Sequence, residues 1–275
     1  MPDAVSTSLA QAVDTGSRRR RLFEWSRHPL AARGISIILG LTIWEVAGSK
    51  INPIFMSYPS AIGRAAVEMI ADGELGRALL LSGQSFVAGY GLAMVIGIPL
   101  GLVMGRYQPV EHLIDLYVYA LYASPTVAFI PLVILWFGLG LKAKIFVVFI
   151  MALFPILINT HVGVKNVNQE WIELGQAFCA NGRDMMTEIV WYAALPFVMA
   201  GLRLAVGRAI VGMVVAEFFT AITGLGGIIV TAGNSFQTAR MFVPILVLMV
   251  LGVCLTQLVA LAERRMVKWR TGTRT

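Results

Sequence analysis

Four long stretches without Asp, Glu, Lys or Arg constrain the fold of this chain more than any other feature of its sequence. They cover residues 78–105, 116–141, 145–164 and 241–262. Each reaches or exceeds the ~20 residues that an α-helix needs to cross the hydrocarbon layer of a bilayer. The chain is also only 13% charged, against roughly 25% in soluble domains. The sequence therefore predicts an integral membrane protein.

Two further apolar stretches bring the predicted number of spans to six. Residues 35–48 contain one acid, Glu45, and residues 197–219 contain two arginines and one acid. Ionisable groups at membrane depth are costly and commonly functional, so we interpret both stretches as spans whose charges lie at an interface or serve transport. The predicted fold class is an all-α integral membrane protein with six transmembrane helices.

The distribution of Lys and Arg predicts the orientation. With six spans, both termini share a side, and that side carries 14 basic residues against 6 on the other. The positive-inside rule then places both termini in the cytoplasm. We expect a cytosolic basic tail at residues 1–33, a transmembrane domain at 34–262 and a second cytosolic basic tail at 263–275.

One polar segment, residues 165–196, lies between the fourth and fifth predicted spans and is therefore predicted to be cytosolic. ELGQAF (173–178) reads as a short helix, CANGRD (179–184) as a helix break, and residues 184–195 as a second helical run. The segment carries four acids against two bases, a balance that anionic lipid does not favour. Docking to a partner protein is thus the preferred interpretation, with a helix resting on lipid headgroups as the alternative.

The sequence carries no motif of a catalytic or metal site. It has no phosphate loop of the Gly-x-x-x-x-Gly-Lys-Ser/Thr type, no nucleophile elbow and no His-Glu-x-x-His motif. Its three histidines lack the spacing of metal ligands, and a disulfide between Cys179 and Cys254 is not expected. We predict no catalytic residue, no bound cofactor and no metal.

Several segments of the chain carry a resemblance together. ELGQAFCANG (173–182) is followed by ALPFVMAGLRLAVGRAI (194–210). The other segments are YPSAI (58–62), PTVAFIPLVILWFGLG (125–140), FPILINTHVGVKNV (154–167), VVAEFF (214–219) and TGLGGII (223–229). In this order they resemble the binding-protein-dependent ABC transporter permeases, in their nitrate, sulfonate and taurine branch, and the first two are similar to that family's EAA motif region. The resemblance extends from about residue 35 to residue 265.

The resemblance implies that the polar segment is a coupling loop, which docks on a separate cytosolic ATPase. The residues that match this loop are Glu173, Leu174, Gly175, Gln176, Ala177, Phe178, Cys179, Ala180, Asn181 and Gly182. Cys179 stands where the family has a glycine, and Trp191 and Tyr192 stand where it has Leu-Pro. The loss of this glycine argues against a sharp turn at Cys179, and we expect Gly182, three positions on, to supply the flexibility for the turn instead.

The same resemblance implies a permease subunit of an ATP-driven importer in the bacterial plasma membrane. Its expected partners are two ATPase subunits that bind ATP-Mg, a substrate-binding protein and a second permease copy. The implied cargo is a small sulfonate, nitrate or similar organic anion. The alternative, a stand-alone ion-coupled carrier, predicts midplane acids and paired broken helices, and the sequence has neither in clear form.

Three residues are candidates for the translocation path or its gate. Pro125 and Pro131 predict a kink in the third span, which serves either the path or packing. Glu217 lies near the outer end of the fifth span, either at the exit of the path or hydrated at the interface. Arg203 and Arg208, in the inner part of the same span, are expected to pair with acids of the coupling loop or of a neighbouring subunit.

Overall fold

A computed structural model describes residues 29–220 and 223–267 of the chain. The predicted basic tails lie largely outside the described residues. Within these ranges the regular structure is helical, which confirms the all-α prediction. The ten helices of the described residues are α1 (Pro29–Ser49), α2 (Pro59–Ala71), α3 (Glu74–Arg106), α4 (Gln108–Ala123), α5 (Ile130–Phe137), α6 (Leu141–Lys165), α7 (Gln169–Ala177), α8 (Gly182–Phe219), α9 (Gly224–Asn234) and α10 (Thr238–Met266).

Three of the four uncharged stretches of the sequence form long helices, which are α3, α6 and α10. These three helices and α8 are long and apolar enough to cross a membrane. The exception is the third predicted span, where α4 and the 3₁₀ turn and helix of residues 126–137 meet at a bend of 92°. Counting that bent pair as one span gives five. Helix α1, with 21 residues, is not among them, so the count of six stays a prediction.

Glycines determine how closely the central helices approach one another. A Cβ atom at Gly89 of α3 would lie 2.6 Å from Val148 Cβ, and one at Gly101 would lie 2.7 Å from the carbonyl oxygen of Leu157 in α6. On the other side of α6, a Cβ at Gly201 of α8 would lie 2.7 Å from Asn159 Cβ. Small residues allow such close packing in lipid. Helix α6 is accordingly the most buried of the four spans, and α10 the least.

Two ion pairs connect α10 to other helices. Arg203 of α8 pairs with Glu263 of α10, and Arg240 of α10 pairs with Glu74 of α3. The expectation that Arg203 pairs with an acid of the coupling loop or of another subunit was therefore wrong. Its partner lies 60 residues further along the same chain.

Candidate functional site

The polar segment between α6 and α8 begins with a capped helix. Asn168 is the N-cap of α7, and its side-chain oxygen accepts a hydrogen bond from the Glu170 N–H at 3.0 Å. The Asn168 amide donates in turn to Glu170 Oε2 at 3.2 Å. Asn is among the strongest N-cap residues, so the start of α7 is determined locally by the sequence.

Helix α7 ends in a Schellman motif centred on Cys179. This residue has a positive φ of 58°, in the left-handed region that favours glycine. The Ala180 N–H donates to the Gly175 carbonyl at 2.9 Å, and the Cys179 N–H donates to the Gln176 carbonyl at 2.9 Å. The sharp turn is therefore made at Cys179 itself.

The expectation that Gly182 supplies this turn was wrong. Gly182 is the first residue of α8. The N-cap of α8 is Asn181, whose side-chain oxygen accepts from the N–H groups of Arg183 and Asp184, both at 2.9 Å. The helix break predicted at residues 179–184 is present, and it consists of a C-terminal cap followed directly by an N-terminal cap.

Gly175 joins α7 to the start of α8. It is buried, and a Cβ atom there would lie 2.5 Å from Ile189 Cδ1 and 2.9 Å from Met185 Cε. Both partners belong to the π-helical turn Met185–Val190. A larger residue at this position would push α7 away from α8, so this glycine allows the two helices to pack closely.

The side of α7 next to Gly175 is apolar and exposed. Trp171, Leu174 and Phe178 are 50%, 57% and 80% exposed, respectively. Their spacing of three and four residues places them on one side of a helix. Together with Tyr192 and Pro196 of α8, Trp171 and Leu174 line a groove of about 780 Å³. We call Trp171, Leu174, Phe178 and Tyr192 the coupling face.

The predicted coupling-loop residues differ in exposure. Gly175 points to α8 and Ala180 is half-buried, whereas the others are exposed: Glu173, Leu174, Gln176, Ala177, Phe178, Cys179, Asn181 and Gly182. Trp171 was not among the residues predicted from the sequence. Its spacing from Leu174 and Phe178, in a segment predicted to leave the bilayer, was the signal that could have identified it.

At the other end of α8, Glu217 is fully buried. Its Oε1 accepts a hydrogen bond from Ser82 Oγ at 2.7 Å, and its Oε2 accepts from the Gly226 N–H at 2.7 Å. Ser82 Oγ also accepts from the Leu225 N–H at 2.9 Å. These bonds satisfy the first N–H groups of α9, which have no partner within their own helix. The alternative of a hydrated Glu217 at the interface was therefore wrong.

The glycines of TGLGG (223–227) make room for this carboxyl group. Gly224 has a positive φ of 81°, and a Cβ there would lie 2.1 Å from Glu217 Oε1. At Gly226 the corresponding distance, to Glu217 Cβ, is 2.8 Å. We call Ser82, Glu217, Gly224 and Gly226 the clamp.

A buried cation lies beside the clamp. Lys144 is buried at the start of α6, and its Nζ donates to Thr223 Oγ1 at 2.7 Å. It also lies within electrostatic reach of Glu217. Ser82 and Lys144 were not predicted from the sequence as partners of Glu217, because residues so distant along the chain give no local pattern.

Pro125 and Pro131 terminate and restart a helix where a kink was predicted. Ser124, before Pro125, is extended with ψ of 144°, as a residue before proline prefers. Pro131 lies in the first turn of α5, where proline is well tolerated. The residues next to these candidates, Ile130 and Ala216, belong to one buried cluster. The break in span three and Glu217 thus lie on neighbouring elements.

Comparison with known proteins identifies the class of molecule that this bundle represents. Residues 97–268 match the family of the binding-protein-dependent transport system inner membrane component. A putative ABC transporter permease protein of Methanocaldococcus jannaschii is 35% identical over 78% of this chain and 81% of its own length. A putative aliphatic sulfonates transport permease protein, SsuC of Bacillus subtilis, is 31% identical over 95% of this chain and 93% of its own. An inward-facing structure of the MetNI methionine ABC transporter shares the fold, with a TM-score of 0.57 and 22% identity, over 73% of this chain and 97% of that one.

A bundle of long apolar helices, with a capped helix between α6 and α8, is thus the membrane component of a solute transport system. The chain belongs to the family of binding-protein-dependent transport system inner membrane components. It is a multi-pass permease subunit of an ABC importer. These likenesses favour the importer over the alternative of a stand-alone carrier.

Proposed function

We propose that this permease moves a small organic or inorganic anion, such as a sulfonate, and is driven by ATPase subunits that dock on the coupling face. The observation that carries the docking proposal is that face itself. Trp171, Leu174 and Phe178 are exposed together on α7, and exposed apolar patches rimmed by polar residues are typical of protein–protein contacts.

The anchoring of α7 supports a role in transmitting force. The helix is capped at Asn168, ends in the tight turn at Cys179 and packs on α8 through Gly175. It therefore meets α8 without a flexible linker. Movement of a docked partner would be passed to α8, and α8 runs on to Glu217 at the clamp.

Within this proposal each part of the loop has a role. Glu173 and Gln176 are exposed polar contacts for the ATPase, and Leu174 and Phe178 are apolar contacts. Gly175, Cys179, Ala180, Asn181 and Gly182 shape the two caps, and Ala177 lies beside Glu173 one helical turn further on. Pro125, Pro131 and Glu217 lie near the path at the other end.

The remaining parts of the machine belong to other subunits in this proposal. ATP-Mg binds to the ATPase, since this sequence has no phosphate loop. A second permease copy completes the path, a substrate-binding protein delivers cargo from outside, and both termini are cytoplasmic. The sulfonate cargo is inferred from the name of the Bacillus subtilis relative.

Co-purification tests the docking proposal. We would isolate the tagged chain from native membranes in mild detergent, identify bound proteins by mass spectrometry and assay ATP hydrolysis. The test variant combines Glu173→Ala with Ala177→Asp, which removes one exposed acid and adds a charge one turn away. We expect an ATPase subunit to co-purify with the native chain and to be lost from the variant.

A matched control makes the corresponding change in another exposed helix. Glu68→Ala with Ala71→Asp alters α2, where both residues are exposed, at the clamp end of the bundle. The ATPase should remain bound to this control. Absence of an ATPase from the native preparation, or its retention by the coupling-loop variant, would contradict the proposal.

A further inference from the structure

Helix α8 carries an arginine, Arg208, halfway across the bundle. Its depth follows from the packing of α8 against the antiparallel α6. Gly201 packs against Asn159, and Gly212 packs against Met151, with Cβ distances of 2.7 and 3.1 Å. Arg208 lies between these two levels, close to the midpoint of α6, which has 25 residues.

At this level α8 has one covered face and one open face. Ala205 and Ala209 are fully buried. Leu204, Arg208 and Val211 are exposed, and a Cβ at Gly207 would meet nothing within 4 Å. The open face therefore contains a guanidinium group among small and apolar neighbours.

Arg208 differs in its partners from Arg203 and Arg240. Arg203 pairs with Glu263, and Arg240 pairs with Glu74. Among residues 29–220 and 223–267, no carboxylate lies within 4.0 Å of Arg208, and no hydrogen bond to its side chain is formed. Its charge is therefore available to a group from outside this part of the chain.

Lipid is an unsuitable neighbour for this face. A charged side chain at the centre of a bilayer is disfavoured and, as a rule, faces the bundle interior or a water-filled cavity. A guanidinium group also binds carboxylate, sulfonate or phosphate oxygens through two parallel hydrogen bonds. These two facts together indicate a hydrated passage that favours anions.

We propose that the open face of α8 lines the cargo path and that Arg208 binds the anionic group of the cargo at mid-membrane. This inference rests on the proposed function, because it assigns a specificity-determining residue to that importer. The positive charge would attract a small anion into the path and orient its charged end toward α8, while Leu204 and Val211 contact its apolar part.

Charge-selective thiol labelling tests the proposal without knowledge of the cargo. The background chain carries Cys179→Gly and Cys254→Ala, and the reporter is Val211→Cys, three residues from Arg208 on the open face. We would measure its reaction rates with an anionic and a cationic methanethiosulfonate in membrane vesicles that contain the assembled importer. We expect the anionic reagent to be favoured, and Arg208→Gln to reduce that preference about tenfold, as expected for one nearby charge. Arg208→Lys should retain most of the preference.

A cysteine at equal depth on another helix provides the control. Val95 of α3 is 71% exposed and lies two residues before Gly97, which packs on Leu153 and Ile156 of α6. Val95→Cys should react slowly with both reagents and should not respond to Arg208→Gln. A reporter at Val211 that is unreactive, or that shows no charge preference, would overturn the inference. Burial of Arg208 against an acid of a second copy would give that result.

Measurements on the same membranes distinguish failure of this inference from failure of the proposed function. If the ATPase co-purifies but Val211→Cys shows no preference for anions, the importer stands and the role of Arg208 is rejected. If no ATPase co-purifies, the proposed function fails first. A preference for the anionic reagent that survives Arg208→Gln would also reject the role of Arg208.

Discussion

The two ends of α8 are built in opposite ways. At the clamp, Glu217 is fully buried, and each of its oxygens accepts a hydrogen bond from another element. At the coupling end, Gly175 packs on α8 while Trp171 and Phe178 remain exposed. Specific buried polar bonds fix one geometry, whereas exposed apolar surface gains free energy only when a partner covers it. The clamp is complete within the chain, and the coupling face is not.

The same contrast appears in the backbone. Each end has one residue with positive φ, Gly224 at 81° and Cys179 at 58°. A side chain at Gly224 would overlap Glu217, but the side chain of Cys179 is exposed. Glycine is therefore required at the clamp by packing and conformation together. At the coupling end only conformation favours it, and a side chain is tolerated.

Among the variants that test this contrast, Gly224→Ala should lower the stability of the chain most. The left-handed conformation costs an L-residue about 1–2 kcal/mol, and overpacking adds about 1–3 kcal/mol. We expect a loss of about 2–5 kcal/mol in the free energy of unfolding, measured as a lower melting temperature of the purified chain in detergent. Gly73→Ala is the matched control, because Gly73 also has a positive φ, of 68°, but has open space around it. An equal loss in both variants would show that packing at the clamp contributes nothing.

Glu217→Ala should have the next largest effect. It removes the acceptor of the buried Gly226 N–H, and an unsatisfied buried donor costs about 1–3 kcal/mol. Glu217→Gln keeps a carbonyl oxygen as an acceptor and should therefore lose less stability than Glu217→Ala. We expect both thermal stability and solute uptake by the assembled importer to decrease from the wild type to Glu217→Gln and further to Glu217→Ala. Normal uptake by a normally expressed Glu217→Ala variant would reject a role for Glu217 at the path.

The sequence predicted best those features that depend on neighbouring residues. The absence of charge over 20 or more residues predicted α3, α6 and α10, because crossing a bilayer is a matter of length and polarity. The polar segment likewise contained its own capping residues, Asn168 and Asn181. Both caps act within three residues of the side chain that makes them.

The clamp, which depends on distant residues, was missed, and two local helix breaks were misread. Ser82 and Glu217 are 135 positions apart, so nothing near either residue indicated the clamp. The sharp turn was assigned to Gly182 because glycine prefers it. It falls at Cys179 because α7 is held at Gly175 and ends in a cap that spans residues 175–180. In span three, the prolines indicated a kink, but an extended Ser124 allows a full break.

Cys179→Gly should have the smallest effect on stability, and this effect should be a stabilisation. Replacing an L-residue in the left-handed region by glycine relieves up to about 1 kcal/mol of backbone strain, and no packing changes because the Cys179 side chain is exposed. We expect slower amide hydrogen exchange in the α7 cap, at residues 179 and 180, with the ATPase still bound. Gly182→Ala is the control. Gly182 is helical and has no atoms near its missing side chain, so alanine should leave exchange in the cap unchanged. Faster exchange in Gly182→Ala than in the native chain, with no slowing in Cys179→Gly, would instead place the conformational requirement at Gly182, and the coupling end would then resemble the clamp in needing a glycine.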